Sequence, residues 1–84
     1  DTLLQALDDE EAIVRAQALF GWVFREGENA LPELLRAVHD TDVSVRLKAV
    51  DLSQDRELLV QATMDADKTV REYALMKLIE MEQK

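Results

Sequence analysis

Three short blocks carry the residues best suited to chemistry: "DEEAIVRAQA" from Asp9 to Ala18, "DTDVSVRLKA" from Asp40 to Ala49 and "DADKTVREYA" from Asp65 to Ala74. Each sets two carboxylates two residues apart, Asp9 with Glu11, Asp40 with Asp42 and Asp65 with Asp67. An arginine follows each pair: Arg15, Arg46 and Arg71. Paired carboxylates can hold a hard cation or divide acid and base duties. His39, the single histidine, stands beside Asp40 and could act as a base. A cation, however, needs several oxygens converging on one point, and no glycine-containing loop of the EF-hand kind accompanies any pair. No Ser or Thr nucleophile arrangement recurs around His39, whose counterpart in the first segment is Asp8. Recurrence of the same residues in every unit is what a stacked scaffold demands of its joints. No catalytic residue, metal site or cofactor is therefore expected, and the chain reads as non-enzymatic.

The elements that must position these blocks are helices. The chain has 84 residues, 48% of them hydrophobic and 33% charged, with two Gly and one Pro. That is too apolar for a disordered segment and too poor in turn residues for an all-β fold. Cysteine is absent, which removes disulfides, thiolate zinc sites and a cysteine nucleophile. The lack fits a reducing compartment, and a cytoplasmic location is expected. The net charge of −8 sets the chain against phosphate backbones and anionic lipid, so neither nucleic acid nor membrane is an expected partner. The apolar stretch from Ala16 to Phe24 is too short to span a bilayer, and no signal-peptide pattern is present. The sequence opens at Asp1 and reaches Leu3-Leu4 almost at once, which suggests a processed chain or a piece of a longer one.

Sliding the chain on itself aligns three segments without gaps: "LLQALDDEEAIVRAQAL" (3–19), "LLRAVHDTDVSVRLKAV" (34–50) and "LVQATMDADKTVREYAL" (59–75). Each reads as two helices joined by an acidic turn. Leu31, Leu34, Leu35 and Val38 follow the i, i+3, i+4, i+7 spacing of an amphipathic helix. Helices are expected over 2–7, 11–26, 29–39, 43–52, 55–64 and 68–82. Asn29 is expected to cap the third, Gly27 to end the second, and Ser53 or Asp55 to cap the fifth. The segments start at residues 3, 34 and 59, so the second interval is shorter than the first and the second unit's second helix must be truncated. The expected fold is an all-α, α-α superhelix (solenoid) of about three helical pairs. It forms one domain over 1–84, with units near 1–27, 28–53 and 54–84.

The Asp-x-acid-x-x-Val-Arg-x-x-Ala blocks and the leucine-rich helices before them resemble HEAT repeats. The likeness is strongest to the short bacterial kind also found in phycobilisome-lyase-like proteins, and it covers nearly the whole chain. The unit from Asp40 to Met64 looks more like a leucine-rich-repeat variant. Some members of that class hold a cysteine-bound iron–sulfur cluster, which this cysteine-free chain has no ligands for. The resemblance implies that Asp9, Asp40 and Asp65 and Arg15, Arg46 and Arg71 form a structural ladder between turns and adjacent repeats. A guanidinium fork suits that task, because it can bond a carboxylate and backbone carbonyls together. A scaffold of this kind does not fix its site.

Val14, Ala18 and Trp22 are expected on one buried face of the second helix, which leaves Phe20 and Phe24 on a different side. Either the third helix and an N-terminal neighbour cover these rings, or part of the surface is open to a partner. Positions three, six and ten residues after each Val supply a candidate partner-binding strip: Gln17, Phe20 and Phe24, then Lys48 and Asp51, then Tyr73 and Met76. The acidic surroundings suit a protein partner with a basic segment. The tail "IEMEQK" is expected to close the stack against water. The expected function is a non-enzymatic protein–protein interaction scaffold binding along the second helices. The alternative is an accessory or fragment of a larger array, such as a phycobilin lyase-like protein or an architectural segment of a homo-oligomer. The lyase reading rests on family likeness alone. A designed consensus repeat is disfavoured by the unequal spacing.

Overall fold

The computed structural model describes residues 2–83, and among them the chain is helical without a strand. The order is α1 (Thr2–Ala6), α2 (Ala12–Glu26), a 3-10 turn (Gly27–Ala30), α3 (Leu31–Ala37), α4 (Val43–Leu52), α5 (Arg56–Ala62) and α6 (Lys68–Glu82). The three aligned segments fold alike, as a short helix, an acidic turn and a second helix. The second helices pack in sequence, α2 on α4 and α4 on α6, while the short helices pack against them. The assembly measures 37 × 25 × 15 Å.

Local chemistry explains where the helices begin. Asp42 accepts the Ser44 N–H at 2.8 Å, and Asp67 accepts those of Thr69 and Val70 at 2.8 and 3.2 Å. These are N-caps of α4 and α6, satisfying donors that no helical carbonyl can reach. Glu11 precedes α2 without a side-chain cap bond. The turn aspartates act one step earlier: Asp9, Asp40 and Asp65 each accept the N–H two residues on, from Glu11, Asp42 and Asp67, at 2.8–2.9 Å. Asp55 caps α5 through the Leu58 N–H, with the Ser53 hydroxyl accepting from Asp55 N–H beside it.

Gly27 ends α2 at φ 58, a conformation open to glycine and costly for other residues. Asn29 does not cap α3. The 3-10 turn runs directly into that helix with Ala30 in helical geometry, so Asn29 lies inside the turn rather than ahead of the helix.

The core runs through all three segments. Leu19, Val45, Val50, Leu58, Leu59 and Val70 are buried, and Ala18, Ala49 and Ala74 sit among them. An alanine at each equivalent position keeps the second helices close, because a larger side chain would hold them apart.

The arginines join one segment to the next. Arg15 grips Asp40 with two hydrogen bonds of 3.0 Å, while its third nitrogen bonds the Asp9 and Glu10 carbonyls at 2.7 and 3.0 Å. Arg46 repeats the arrangement, bonding Asp65 at 2.9 Å and the Asp40 and Thr41 carbonyls at 2.8 and 3.2 Å. Arg71 bonds its own turn, at the carbonyls of Asp65 and Ala66, both at 2.9 Å. The Arg46–Asp65 pair is largely buried, with side chains 17% and 7% exposed, which sets it apart from surface pairs that contribute little. Arg36–Asp8 and Arg56–Glu82 are surface pairs of that weaker kind.

Replacing Arg46 by Ala strands the Asp65 carboxylate and two turn carbonyls. A loss of roughly 1–3 kcal/mol is expected by urea denaturation. Arg46→Lys is expected to recover little of it, because one ammonium cannot reproduce the fork.

The Asp40 link should also show in the pH dependence of stability. Burial pushes the Asp40 carboxyl upward, but the Arg15 side chain and the Asp42 amide outweigh it and hold the group below the ordinary aspartate value. Its stabilising contribution is therefore present above the unfolded-state value, about 3.9, and is lost as pH falls through the lower folded-state value. Asp40→Asn keeps an acceptor for the Asp42 amide and removes the charge. The stability gap between wild type and this variant is expected to be largest near neutrality and to close on acidification, read by denaturant midpoints across pH.

Candidate binding surface

The seven residues of the candidate strip lie on α2, α4 and α6. Phe24 is 85% exposed, Phe20 53% and Met76 57%. Gln17 and Asp51 are exposed, and Lys48 and Tyr73 are half-buried. The third helix therefore leaves the two phenylalanine rings open to solvent. Gln17, Phe20 and Lys48 line one shallow depression of about 400 Å³ with Ile13 and Ala16.

Neighbouring helices are joined across this surface by specific contacts. The Lys48 ammonium stands 6.0 Å from the centre of the Phe20 ring, linking α4 to α2. The Tyr73 hydroxyl donates to Asp51, linking α6 to α4. That bond, with the Asp51 charge, raises the Tyr73 hydroxyl above its ordinary pKa, so the phenol stays protonated. Phe24 and Met76 carry no such links. Trp22, outside the strip, faces α3, where its indole N–H donates to Glu33 at 2.8 Å.

One functional-looking group escapes the sequence reading. The Lys77 ammonium donates to three backbone carbonyls, Val50 at 2.9 Å, Asp51 at 2.6 Å and Ser53 at 2.7 Å. These lie at the C-terminal end of α4, where helix carbonyls lack partners and a cation meets the negative helix end. Burial lowers the Lys77 pKa, and Asp51 and Glu80 oppose the shift. A signal for this role existed: Lys77 aligns with Gly21 and Leu52, so a charge interrupts an uncharged position just where α4 is truncated.

The first carboxylates of the acidic turns are engaged in local bonds, by turn amides, and Asp40 and Asp65 also by arginine. Among the described residues no three His, Asp or Glu side chains are placed to hold a metal ion. His39 is exposed at the edge of a groove lined by Asp8, Asp9, Arg15 and Asp40, without a nucleophile bonded to it. No helix among the described residues is long and apolar enough to cross a membrane. Compared with known proteins, the chain matches no family model, no curated protein and no solved structure.

Lys77→Met keeps the aliphatic stem and removes the ammonium that the Val50, Asp51 and Ser53 carbonyls share, leaving Val50 only the Ser53 amide. We expect a loss of roughly 1–3 kcal/mol in thermal or urea unfolding, with the amides at the end of α4 exchanging faster by hydrogen-exchange NMR.

Proposed function

We propose that the chain is a HEAT-like module of three helical pairs. Its role is to bind a protein segment along α2, α4 and α6, with no catalysis of its own. The observation that carries this reading is the exposure of Phe20 and Phe24 on α2 and of Met76 on α6, at the two ends of the α2–α4–α6 stack. Solvent-exposed aromatic and methionine side chains are costly to leave in water and are common anchors of protein interfaces. The Arg–Asp links support the HEAT-like reading, because they relate successive segments by one repeated contact.

Charge narrows the partner. Glu72, Glu80 and Asp51 are exposed around the strip, and the whole chain carries −8. A segment with apolar anchors and Lys or Arg at its edges matches both features. Attraction between the two would speed association and make it fall with salt.

Photocrosslinking residues placed at Phe24 and at Met76, with Glu57 on α5 as control, test the reading in extracts of cells that make the protein. One common adduct from positions 24 and 76, absent from 57 and fading as salt is raised, is expected. Phe24→Ser should then weaken that complex roughly tenfold or more while leaving the melting temperature unchanged, since the ring is almost fully solvated. Equal adducts from all three positions, or none shared by 24 and 76, would retire the proposal.

A further inference from the structure

The link between segments has two halves, and each end of the molecule carries one of them unused. At the C-terminal end, Arg71 spends one nitrogen on the carbonyls of its own turn, as Arg15 and Arg46 do. The other edge of its fork, which in Arg15 and Arg46 holds the next aspartate, meets no carboxylate among the described residues. At the opposite end, Asp9 accepts its turn amide from Glu11, as Asp40 and Asp65 do from theirs, but no arginine reaches its carboxylate.

Burial follows the same asymmetry. Leu19 and Val50, which lie one helical turn beyond Arg15 and Arg46, are 1% and 0% exposed. Leu75, one turn beyond Arg71, is 52% exposed, and Ile79 behind it is 48% exposed. The tail of α6 thus leaves an apolar face open where a closing polar face was expected. At the other end Val14 is only half-buried, whereas its counterparts Val45 and Val70 are 2% and 0% exposed. The C-terminal end presents a cation above an apolar row, and the N-terminal end an anion beside an apolar seat. Inside the chain the same pairing occurs twice, at Arg15–Asp40 and Arg46–Asp65.

We propose that these ends bind each other in separate copies of this chain, head to tail, with Arg71 of one copy gripping Asp9 of the next and Leu75 entering the seat beside Val14. The occupant is a second copy because its N-terminal end offers the acceptor and apolar neighbour that the internal joints use. The contact joins two different surfaces, so it leaves one free end of each kind and propagates rather than stopping at a pair. It uses the ends of the array and not the strip on α2, α4 and α6, so either proposal can fail without the other.

Sedimentation velocity of the 84-residue chain over a wide concentration range, at low and high salt, tests this. Mass rising with concentration, and less so at high salt, is expected. Leu75→Glu alters an exposed side chain and should leave circular dichroism and melting unchanged while holding the protein monomeric. Asp9→Asn keeps the turn acceptor, removes the charge and should weaken association roughly 30-fold. The mixture discriminates best. A Leu75→Glu copy keeps a sound N-terminal end, and an Asp9→Asn copy keeps a sound C-terminal end, so together they should form a dimer that does not grow. A wild-type chain that stays monomeric throughout overturns the proposal. So does a Leu75→Glu variant that associates like wild type, or a mixture that yields no dimer.

Discussion

The structure depends on a single constraint, that the carbonyls of each acidic turn and the carboxylate of the next must be satisfied together in a half-buried place. A buried carboxylate without a partner is expensive, and so is an orphaned carbonyl. One guanidinium answers both needs, because its nitrogens diverge in a plane. Arg15 and Arg46 each bridge their own turn to the following aspartate. The turn spacing, the stacking of α2 on α4 on α6 and the burial of Leu19 and Val50 all follow from holding those turns at that distance. Asp40 and Asp65, which in sequence looked fit for cation or acid–base chemistry, spend their carboxylates on these links.

Truncation of α4 is the one break in this regularity, and it has a local cost and a local remedy. Stopping at Leu52 exposes carbonyls that a longer helix would have used, and Lys77 reaches across from α6 to take three of them. Beside the end of α4 lies a largely apolar depression of about 540 Å³, lined by Val23, Leu31, Leu34 and Leu52. The lysine and the depression both stand where α4 stops short.

What could be read in the sequence was what local chemistry decides. The second helices lie within one residue of expectation, at 12–26, 43–52 and 68–82, because each starts at an acid just past the turn and the first two end at Gly27 and Ser53. The ladder aspartates and arginines were legible because repetition marked them. Contacts between distant segments were less so. Asn29 resembles a cap, yet the backbone at Gly27 enters a 3-10 turn that bypasses it. Lys77 belongs to α4 in space and to α6 in sequence, and no local pattern states that. The strip residues were named from helical spacing, but spacing could not decide whether Phe20 and Phe24 were covered. That depended on which side of α2 its neighbours pack, and α3 meets the Val23 side while Phe20 and Phe24 remain in water.

The strip is not a uniform surface, and its internal bonds bear on how a partner could use it. Lys48 lies near the Phe20 ring, and Tyr73 is bonded to Asp51, so these side chains already have partners on the protein before anything arrives. Any ordering such contacts impose in advance lowers the entropy a complex must give up. The same bonds mean that a ligand which disrupts them loses what it displaces. Phe24 and Met76, free of such links, have the most apolar surface still to bury. The middle of the strip is therefore suited to setting orientation and charge, and its two ends to supplying affinity. A segment long enough to touch both ends gains from each anchor and keeps the central bonds intact. A short ligand seated only at the centre must compete with Asp51 and Lys48 for groups they already hold. For a partner of the kind proposed, an extended or helical segment would suit this arrangement better than a compact one, since only length reaches from α2 to α6.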